Sequence, residues 1–334
     1  MIHSSYNKRF IKKIRKNKLT IASIVYIFIC ILISIFGKFI IPDKTKNANN
    51  QIIEIALQKP GYSIDMLIIN DETQIPVKSY TKSSDTIYYV NVDDELGSVV
   101  STPEHNVKIK RVRYLLGTDK FGRDEYSRLI LGTRVSLSIG AVAVILSLLI
   151  GVFVGAIAGY YRGRIDKFIM WLINVVWSIP SILLVIAISF ALGRGFWQIF
   201  VAVGLTLWVD VARMVRGQVI SYREQDYVDA AKTMGFRSFR IIFRHIIPNC
   251  ISALLVISAS NFATAILLES GLSFLGIGVQ PPMPSWGAMI KESYAYLILG
   301  KPYLSLIPGA AIFLMVLSFM MLGNGLRDSL DVKM

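Results

Sequence analysis

Long stretches without a charged residue restrict the fold of this sequence more than any other feature. Five such runs occur, at 19–37, 135–161, 168–193, 246–268 and 302–326. Each is long enough to cross a hydrocarbon core of about 30 Å as an α-helix. A weaker run at 195–209, followed by Asp210 and Arg213, is interpreted as a sixth span with a polar inner end. These runs lack the polar face of a soluble bundle, so the sequence predicts an all-α membrane protein with six transmembrane helices.

The distribution of charge predicts the orientation of these helices. Residues 1–18 carry seven Lys and Arg and no acid, which is typical of a cytoplasmic tail preceding a first transmembrane helix at 19–41. Alternation then places 42–132, 194 and 270–300 outside, and both termini, including the tail 328–334, in the cytoplasm. The formal charge of +14 is therefore explained by membrane anchoring, and no nucleic-acid partner is expected.

Residues 42–110 are predicted to form an extracellular insertion. Runs at 66–69, 86–90 and 107–110 have the composition or alternation of β-strands. These patterns are compatible with a small β-subdomain and with partial disorder, especially at 46–52.

Residues 111–133 are predicted to form an outer amphipathic helical segment that leads into the core domain, 134–327. Gly117 and Gly122 have the spacing of a phosphate-binding loop, but Arg123 and Asp124 replace the Lys and Ser/Thr that such a loop requires. A nucleotide site is not expected here.

Within the core domain, small and helix-breaking residues suggest how the spans pack. Gly151, Gly155 and Gly159 lie on one helix face and would allow a neighbouring helix to approach closely. Pro180 and Pro308 are expected to kink their spans. Asp210 and Arg213, one turn apart, are interpreted as a structural ion pair.

A polar segment at 222–249 separates two apolar spans. Ser221 and Glu224 have the spacing of a capping box, and Gly235 stands where a short helix should stop. One apolar edge of that helix is predicted to contain Tyr227, Val228 and Ala231. A second helical run places Phe236, Phe239, Phe243 and Ile246 on one face, and Pro248 is at a position where a new helix could begin.

Several of these residues resemble motifs of ABC importer permeases. Asp229-Ala230-Ala231, Gly235 and Pro248 resemble the "EAA" loop, which in that family docks into a groove on a cytoplasmic ATPase; Asp229 stands where Glu is usual. The segments at 117–124, 269–292 and 323–333 are similar to the C-type permeases for dipeptides, oligopeptides and nickel. This resemblance covers roughly 111–334.

The resemblance implies a type I ABC importer permease fold in a bacterial inner membrane. It implies a second homologous permease, two cytoplasmic ATPases that use ATP and magnesium, an extracellular solute-binding protein and a peptide cargo. The chain itself would be no enzyme and would hold no cofactor. The ATPase-coupling residues would be Glu224, Tyr227, Asp229, Ala230, Ala231, Gly235, Phe236 and Pro248. A large charged residue at Ala231 is expected to block docking.

Other functions are weighed on the same residues. A nickel or metallophore permease of the same family is the nearest alternative to a peptide permease. A self-sufficient channel or secondary transporter would need polar residues along several spans, and these spans carry almost none apart from Asp210. A membrane-bound sensor rests only on the insertion. The histidines, His3, His105 and His245, are too scattered to suggest a metal site.

The predicted topology can be tested by cysteine labelling. An impermeant thiol reagent added from outside should modify Ser84→Cys, in the insertion, and should leave Ser238→Cys, in the polar loop, unmodified. The opposite labelling pattern would contradict this topology.

Overall fold

A computed structural model describes residues 13–69, 73–83, 86–94, 99–103, 107–193 and 196–330. The helices are α1 Lys18–Ile40, α2 Glu125–Tyr161, α3 Gly163–Trp177, α4 Ser181–Ala191, α5 Phe196–Arg223, α6 Asp226–Thr233, α7 Ile251–Leu275, α8 Trp286–Ser293 and α9 Tyr303–Leu330. The strands are β1 Tyr62–Ile69, β2 Thr73–Ser83, β3 Thr86–Asn91, β4 Val99–Pro103 and β5 Val107–Tyr114. Ser84 and residue 194, used above for topology, lie outside the described residues.

Five helical segments are long and apolar enough to cross a membrane: α1, α2, α5, α9 and the continuous segment Ser238–Leu275 that contains α7. The pair α3 and α4 passes the same test together but is bent by 93°. Counting this pair as one span gives six, so the predicted all-α, six-span architecture is confirmed. The predicted span at 195–209 is longer than expected, because α5 continues through Asp210 to Arg223.

The bend between α3 and α4 falls at Pro180, which is the N-cap of α4. The sequence predicted a kinked helix over 168–193, whereas the structure has two separate helices. A proline has no N–H to donate, and it disfavours the helical conformation of the residue before it. Pro308, in contrast, lies inside α9 without ending it.

The contact between α2 and α5 is made by the predicted glycine face. A Cβ on Gly155 would lie 2.4 Å from the carbonyl oxygen of Ala212, and one on Gly159 would lie 2.8 Å from the carbonyl oxygen of Arg216. Gly151 likewise faces α5, with 2.7 Å between a built Cβ and the Trp208 carbonyl oxygen. The two backbones therefore touch over two turns, which side chains larger than hydrogen would prevent.

The insertion is a five-stranded antiparallel sheet with strand order β4-β3-β2-β1-β5. The β-subdomain is thus confirmed, although β2 and β4 were not predicted. The segment 46–52, for which disorder was considered, is packed into the protein: Ala48 is fully buried and Ile52 is 5% exposed. We call the end of the bundle that carries this sheet the sheet end, and the opposite end, which carries α6, the loop end.

Residues 111–133 do not form the predicted amphipathic helix. β5 runs to Tyr114, a tight loop follows in which Gly117 and Gly122 have φ of +82° and +72°, and α2 begins at Glu125. Gly122 must be glycine, because a Cβ there would overlap the carbonyl of Ile52. The segment 111–133, predicted as one helix, consists of the end of a strand, a turn and the first turns of α2.

A buried ionic cluster fastens this loop to α8. Arg123 contacts Asp119, at 2.5 Å from Nε to Oδ2, and also Glu292, while Arg128 Nη2 lies 3.3 Å from Glu292 Oε2. Arg123, Arg128 and Asp119 are each at most 3% exposed. Breaking such a cluster would leave buried charges unpaired, so the loop before α2 and the helix α8 are held together at the sheet end.

Asp210 and Arg213 do not form the predicted ion pair. The Arg213 guanidinium instead lies over the Trp177 ring, 4.1 Å from its centroid, and its Nη2 is 3.4 Å from Asn174 Oδ1. Both partners belong to α3, and the sequence pattern did not predict that α3 lies next to α5.

The glycine contact predicts a sharp difference between two alanine substitutions. We expect Gly155→Ala to destabilise the protein by about 1–3 kcal/mol, because the added methyl group would overlap the α5 backbone. Gly309→Ala, in α9, serves as the control, since a Cβ there would meet nothing within 4 Å. Membrane abundance and the detergent melting temperature should fall only for Gly155→Ala; equal behaviour of the two variants would contradict the packing argument.

Candidate functional site

The polar loop begins with α6, whose N-cap is Gln225. The predicted capping box is wrong: α5 continues through Arg223, so Ser221 lies inside that helix. Glu224, at the turn between the two helices, accepts instead a 2.7 Å hydrogen bond on Oε1 from Arg162 Nη2. This exposed pair joins the α2–α3 junction to the α5–α6 junction.

The other end of α6 stops at Gly235, as predicted. Gly235 has φ of +77°, and its N–H donates to the Lys232 carbonyl at 2.9 Å. The N–H of Phe236 donates to the Ala231 carbonyl at 3.1 Å. These two bonds are the Schellman arrangement, which satisfies the last carbonyls of a helix through one left-handed residue. The helix is therefore a rod of eight residues with a fixed end.

One side of α6 is buried against the bundle. Val228 is fully buried and Ala231 is 2% exposed. They belong to one hydrophobic cluster with residues of α2, α5 and the segment after α6: Ala156, Tyr160, Val211, Val215, Val219, Ile241, Ile242, Ile246 and Cys250. Ala231 thus faces the protein interior. The sequence suggested that a large charged residue at this position would block docking into a groove of a partner. In the structure, such a residue would instead displace α6 from the bundle.

The opposite side of α6 is open. Tyr227 is 40% exposed, Met234 is 65% exposed, and Asp229 and Ala230 are also exposed. Asp229 Oδ1 accepts a 2.8 Å hydrogen bond from Lys232 Nζ on the same helix. The result is a short, exposed surface of apolar and charged side chains on a helix whose other side is buried.

The second half of the loop is helical but irregular. A short α-helical turn at Ser238–Arg240 is followed by a π-helical turn, Ile241–Ile246, and a 3-10 turn, Ile247–Cys250, before α7. Phe239 and Phe243 share a face, with ring centroids 4.5 Å apart, as predicted. Phe236 lies before this helix and stacks on His245 at 5.9 Å. Pro248 is exposed and lies in the 3-10 turn.

Hydrogen bonds connect the two halves of the loop. Asn249 Nδ2 donates to the hydroxyl oxygen of Tyr227 at 3.4 Å, and Tyr222 donates its hydroxyl to the Asn249 carbonyl at 3.1 Å. Partial burial raises the pKa of the Tyr227 hydroxyl above its usual value. Behind the loop, Arg216 of α5 makes two hydrogen bonds to Asp166 of α3, at 2.5 and 2.7 Å.

The loop combines a helix that is exposed on one side with a buried apolar contact on the other. The described residues contain no group of three or more His, Cys, Asp or Glu that could hold a metal ion. The loop presents a short helix that is exposed on one side, packs against residues of α2 and α5, and is joined to the α2–α3 junction by the Arg162–Glu224 pair.

Comparisons with known proteins identify the family of this chain. The family of binding-protein-dependent transport system inner membrane components matches residues 151–334, more than half of the chain and all of the polar loop. The chain belongs to this permease family. A second match, to the N-terminal transmembrane domain of oligopeptide transport permease C, covers residues 5–60 of the permease.

Individual relatives align over most of their length. The permease is 41% identical to the glutathione transport system permease protein GsiD of Pectobacterium atrosepticum, over 66% of this chain and 72% of the relative. It is 42% identical to the dipeptide transport system permease protein DppC of Alkalihalophilus pseudofirmus, over 70% and 77%. A solved structure of the inward-facing MetNI methionine ABC transporter has 17% identity and a TM-score of 0.51, over 60% of this chain and 95% of that one. The last similarity concerns the fold alone.

The structure adds residues to this site that the sequence did not single out. Arg162 pairs with Glu224 across 62 positions, and no local pattern signals that contact. Asn249 and Tyr222 were noticed only as the ends of the polar loop. Met234 was not predicted to belong to the site. It directly precedes Gly235, which ends the helix, and a side chain at the tip of a short helix is expected to be exposed.

Gly235→Val tests the role of the helix end. A Cβ there would meet nothing within 4 Å, so the bundle should fold at normal abundance. A β-branched residue at positive φ costs on the order of 1–2 kcal/mol, which should alter the end of α6. We expect cargo-stimulated ATP hydrolysis and transport by the assembled transporter to fall sharply.

Two controls accompany this variant. Gly235→Asn should retain transport, because Asn tolerates the left-handed conformation, and Asp229→Glu, which keeps the charge, should be nearly silent. Full transport by Gly235→Val would mean that the loop is a passive connection.

Proposed function

We propose that this chain is the transmembrane permease subunit of an ATP-driven importer for short peptides. The observation that carries the proposal is the 41–42% identity to the permeases GsiD and DppC, whose names describe glutathione and dipeptide transport. Glutathione and dipeptides share peptide bonds and free carboxylates. The cargo would therefore be a short peptide, imported across a bacterial inner membrane.

The permease would form half of the translocation pathway, and a second, homologous permease would form the other half. An extracellular solute-binding protein would deliver the peptide at the sheet end, and two ABC ATPases would bind at the loop end. In this arrangement both termini of the chain are cytoplasmic. ATP and magnesium would act in the ATPases, and this chain would need no cofactor of its own.

The exposed side of α6 is the surface proposed to contact an ATPase. Tyr227, Asp229, Ala230 and Met234 would enter its groove, while Gly235 and Phe236 fix the end of the helix. Glu224 and Pro248 would hold the two ends of the loop in position. Because Val228 and Ala231 are packed against the bundle, a displacement of α6 must also displace α5 and the segment leading into α7. Such rigid-body movements are a common means of switching between two conformations.

Two other functions stay as alternatives. A nickel or metallophore importer would use the same subunit arrangement, so it differs only in the cargo. A self-sufficient channel or secondary transporter would work without ATPases. The exposed side of α6 disfavours this second alternative, because a channel or transporter that works alone would have no partner to bind there.

Uptake measurements test the cargo. In a strain that lacks this chain, expression of the chain with its partner subunits should restore ATP-dependent uptake of a radiolabelled tripeptide and should not change nickel uptake. Loss of nickel or metallophore uptake in the deletion strain, with peptide uptake intact, would overturn the peptide assignment. Transport by the purified chain alone in vesicles would favour a channel or secondary transporter.

A further inference from the structure

An open groove of about 620 Å³ lies between α5, α7 and α9 at the loop end of the bundle. Its polar lining includes Gln218 of α5, Ser252 and Ser260 of α7, and Asn324 and Arg327 of α9. The volume is within the range of about 300–1,000 Å³ typical of small-molecule sites. None of these side chains belongs to the exposed side of α6.

The depth of the groove argues against a lipid-facing surface. Ser260 lies 11 positions after Asn249, a residue at the loop end of the same groove, which corresponds to about 16 Å along a helix. The groove therefore runs from the loop end along a length of helix equal to about half of a 30 Å hydrocarbon core. Polar side chains at such depths usually face a water-filled cavity or another protein. Nearer the sheet end, α7 contacts α4, since a Cβ on Gly271 would lie 3.6 Å from Ile182 Cδ1.

The described residues that line the groove carry one positive charge and no negative charge. Among the described residues that line it, Arg327 is the only charged one, and none is Asp, Glu, His or Cys. Arg327 is exposed, and no carboxylate of the described residues lies within 4 Å of its guanidinium. A guanidinium binds a carboxylate with two parallel hydrogen bonds. Gln218 and Asn324 carry amides that can both donate to and accept from peptide groups.

We propose that this groove is the part of the translocation pathway that binds the peptide cargo in this subunit. Arg327 would hold the free C-terminal carboxylate, and Gln218 and Asn324 would bind the backbone amides. The inference rests on the proposed function and adds a preference to it: the groove suits a short peptide with a free carboxylate. The described residues that line it include none of the His, Cys and carboxylate ligands that bind metal ions.

Transport of two matched peptides tests the role of Arg327. The complete transporter, with its binding protein, is placed in vesicles and supplied with a tripeptide bearing either a free or an amidated C-terminus. Relative to wild type, we expect Arg327→Gln to lower uptake of the free peptide about tenfold, as for the loss of a contact worth 1.4 kcal/mol, and uptake of the amidated peptide less than twofold. Arg164→Gln, an exposed arginine of α3 outside the groove, should change neither.

The ratio of the two uptake rates separates the possible outcomes. If Arg327→Gln leaves the ratio of free to amidated peptide as in wild type, whatever its total activity, the carboxylate contact is wrong. If the wild-type transporter imports neither peptide but imports another cargo, the proposed peptide transport itself is wrong, whatever the effect of Arg327→Gln.

A second measurement does not depend on peptide preference. The native Cys30 and Cys250 are buried, so Asn324→Cys should provide the one thiol of the described residues that reacts readily. In the assembled transporter we expect a small permeant thiol reagent to modify it, and the free tripeptide under turnover to slow this reaction several-fold. A thiol that never reacts would mean that the second permease covers the groove. A reaction unaffected by peptide would mean that the groove faces lipid or bulk water, and either result would overturn the proposal.

Discussion

The direct contact between the backbones of α2 and α5 is the interaction on which the rest of the bundle depends. In a bilayer, the helices gain little from moving apolar side chains away from lipid, so close packing must supply the attraction. Gly155 allows the α5 carbonyl of Ala212 to approach to a distance that no side chain would permit. Because α2 starts at the sheet end and α5 finishes at the loop end, this one contact sets the relative position of the two functional ends.

The bilayer also determines where the chain can depart from regular helix. Unpaired backbone groups cost several kcal/mol each in hydrocarbon, and the breaks in this protein fall where protein or polar groups can compensate. The break at Pro180 lies between α3 and α4, and Ile173 of α3 and Val185 of α4 are fully buried on either side of it. The irregular π and 3-10 turns before α7 are at the loop end. The tight loop at Gly117 and Gly122 is at the sheet end, where the ionic cluster and the carbonyls of the neighbouring segment surround it.

The two ends of the bundle are held together by different interactions. At the sheet end, Arg123, Arg128 and Glu292 form a buried ionic cluster, which is costly to break and therefore holds one arrangement. At the loop end, the ion pair of Arg162 with Glu224 is solvent-exposed and worth little by itself. The position of α6 thus depends mainly on the apolar packing of Val228 and its neighbours. Buried charge therefore fixes the sheet end, whereas apolar packing fixes the loop end.

The sequence by itself determined the elements whose cause is local. Apolar length sets the spans, because a helix must cover the hydrocarbon core, and Gly235 sets the end of α6, because few other residues accept its backbone conformation. Only the tertiary structure decided which distant groups meet. Arg213 lies over Trp177 of α3 and does not pair with Asp210, which is one turn away on its own helix. Ala231 faces the interior of the bundle. The polar groove is likewise invisible in the sequence, because its lining comes from three helices that are far apart in the chain.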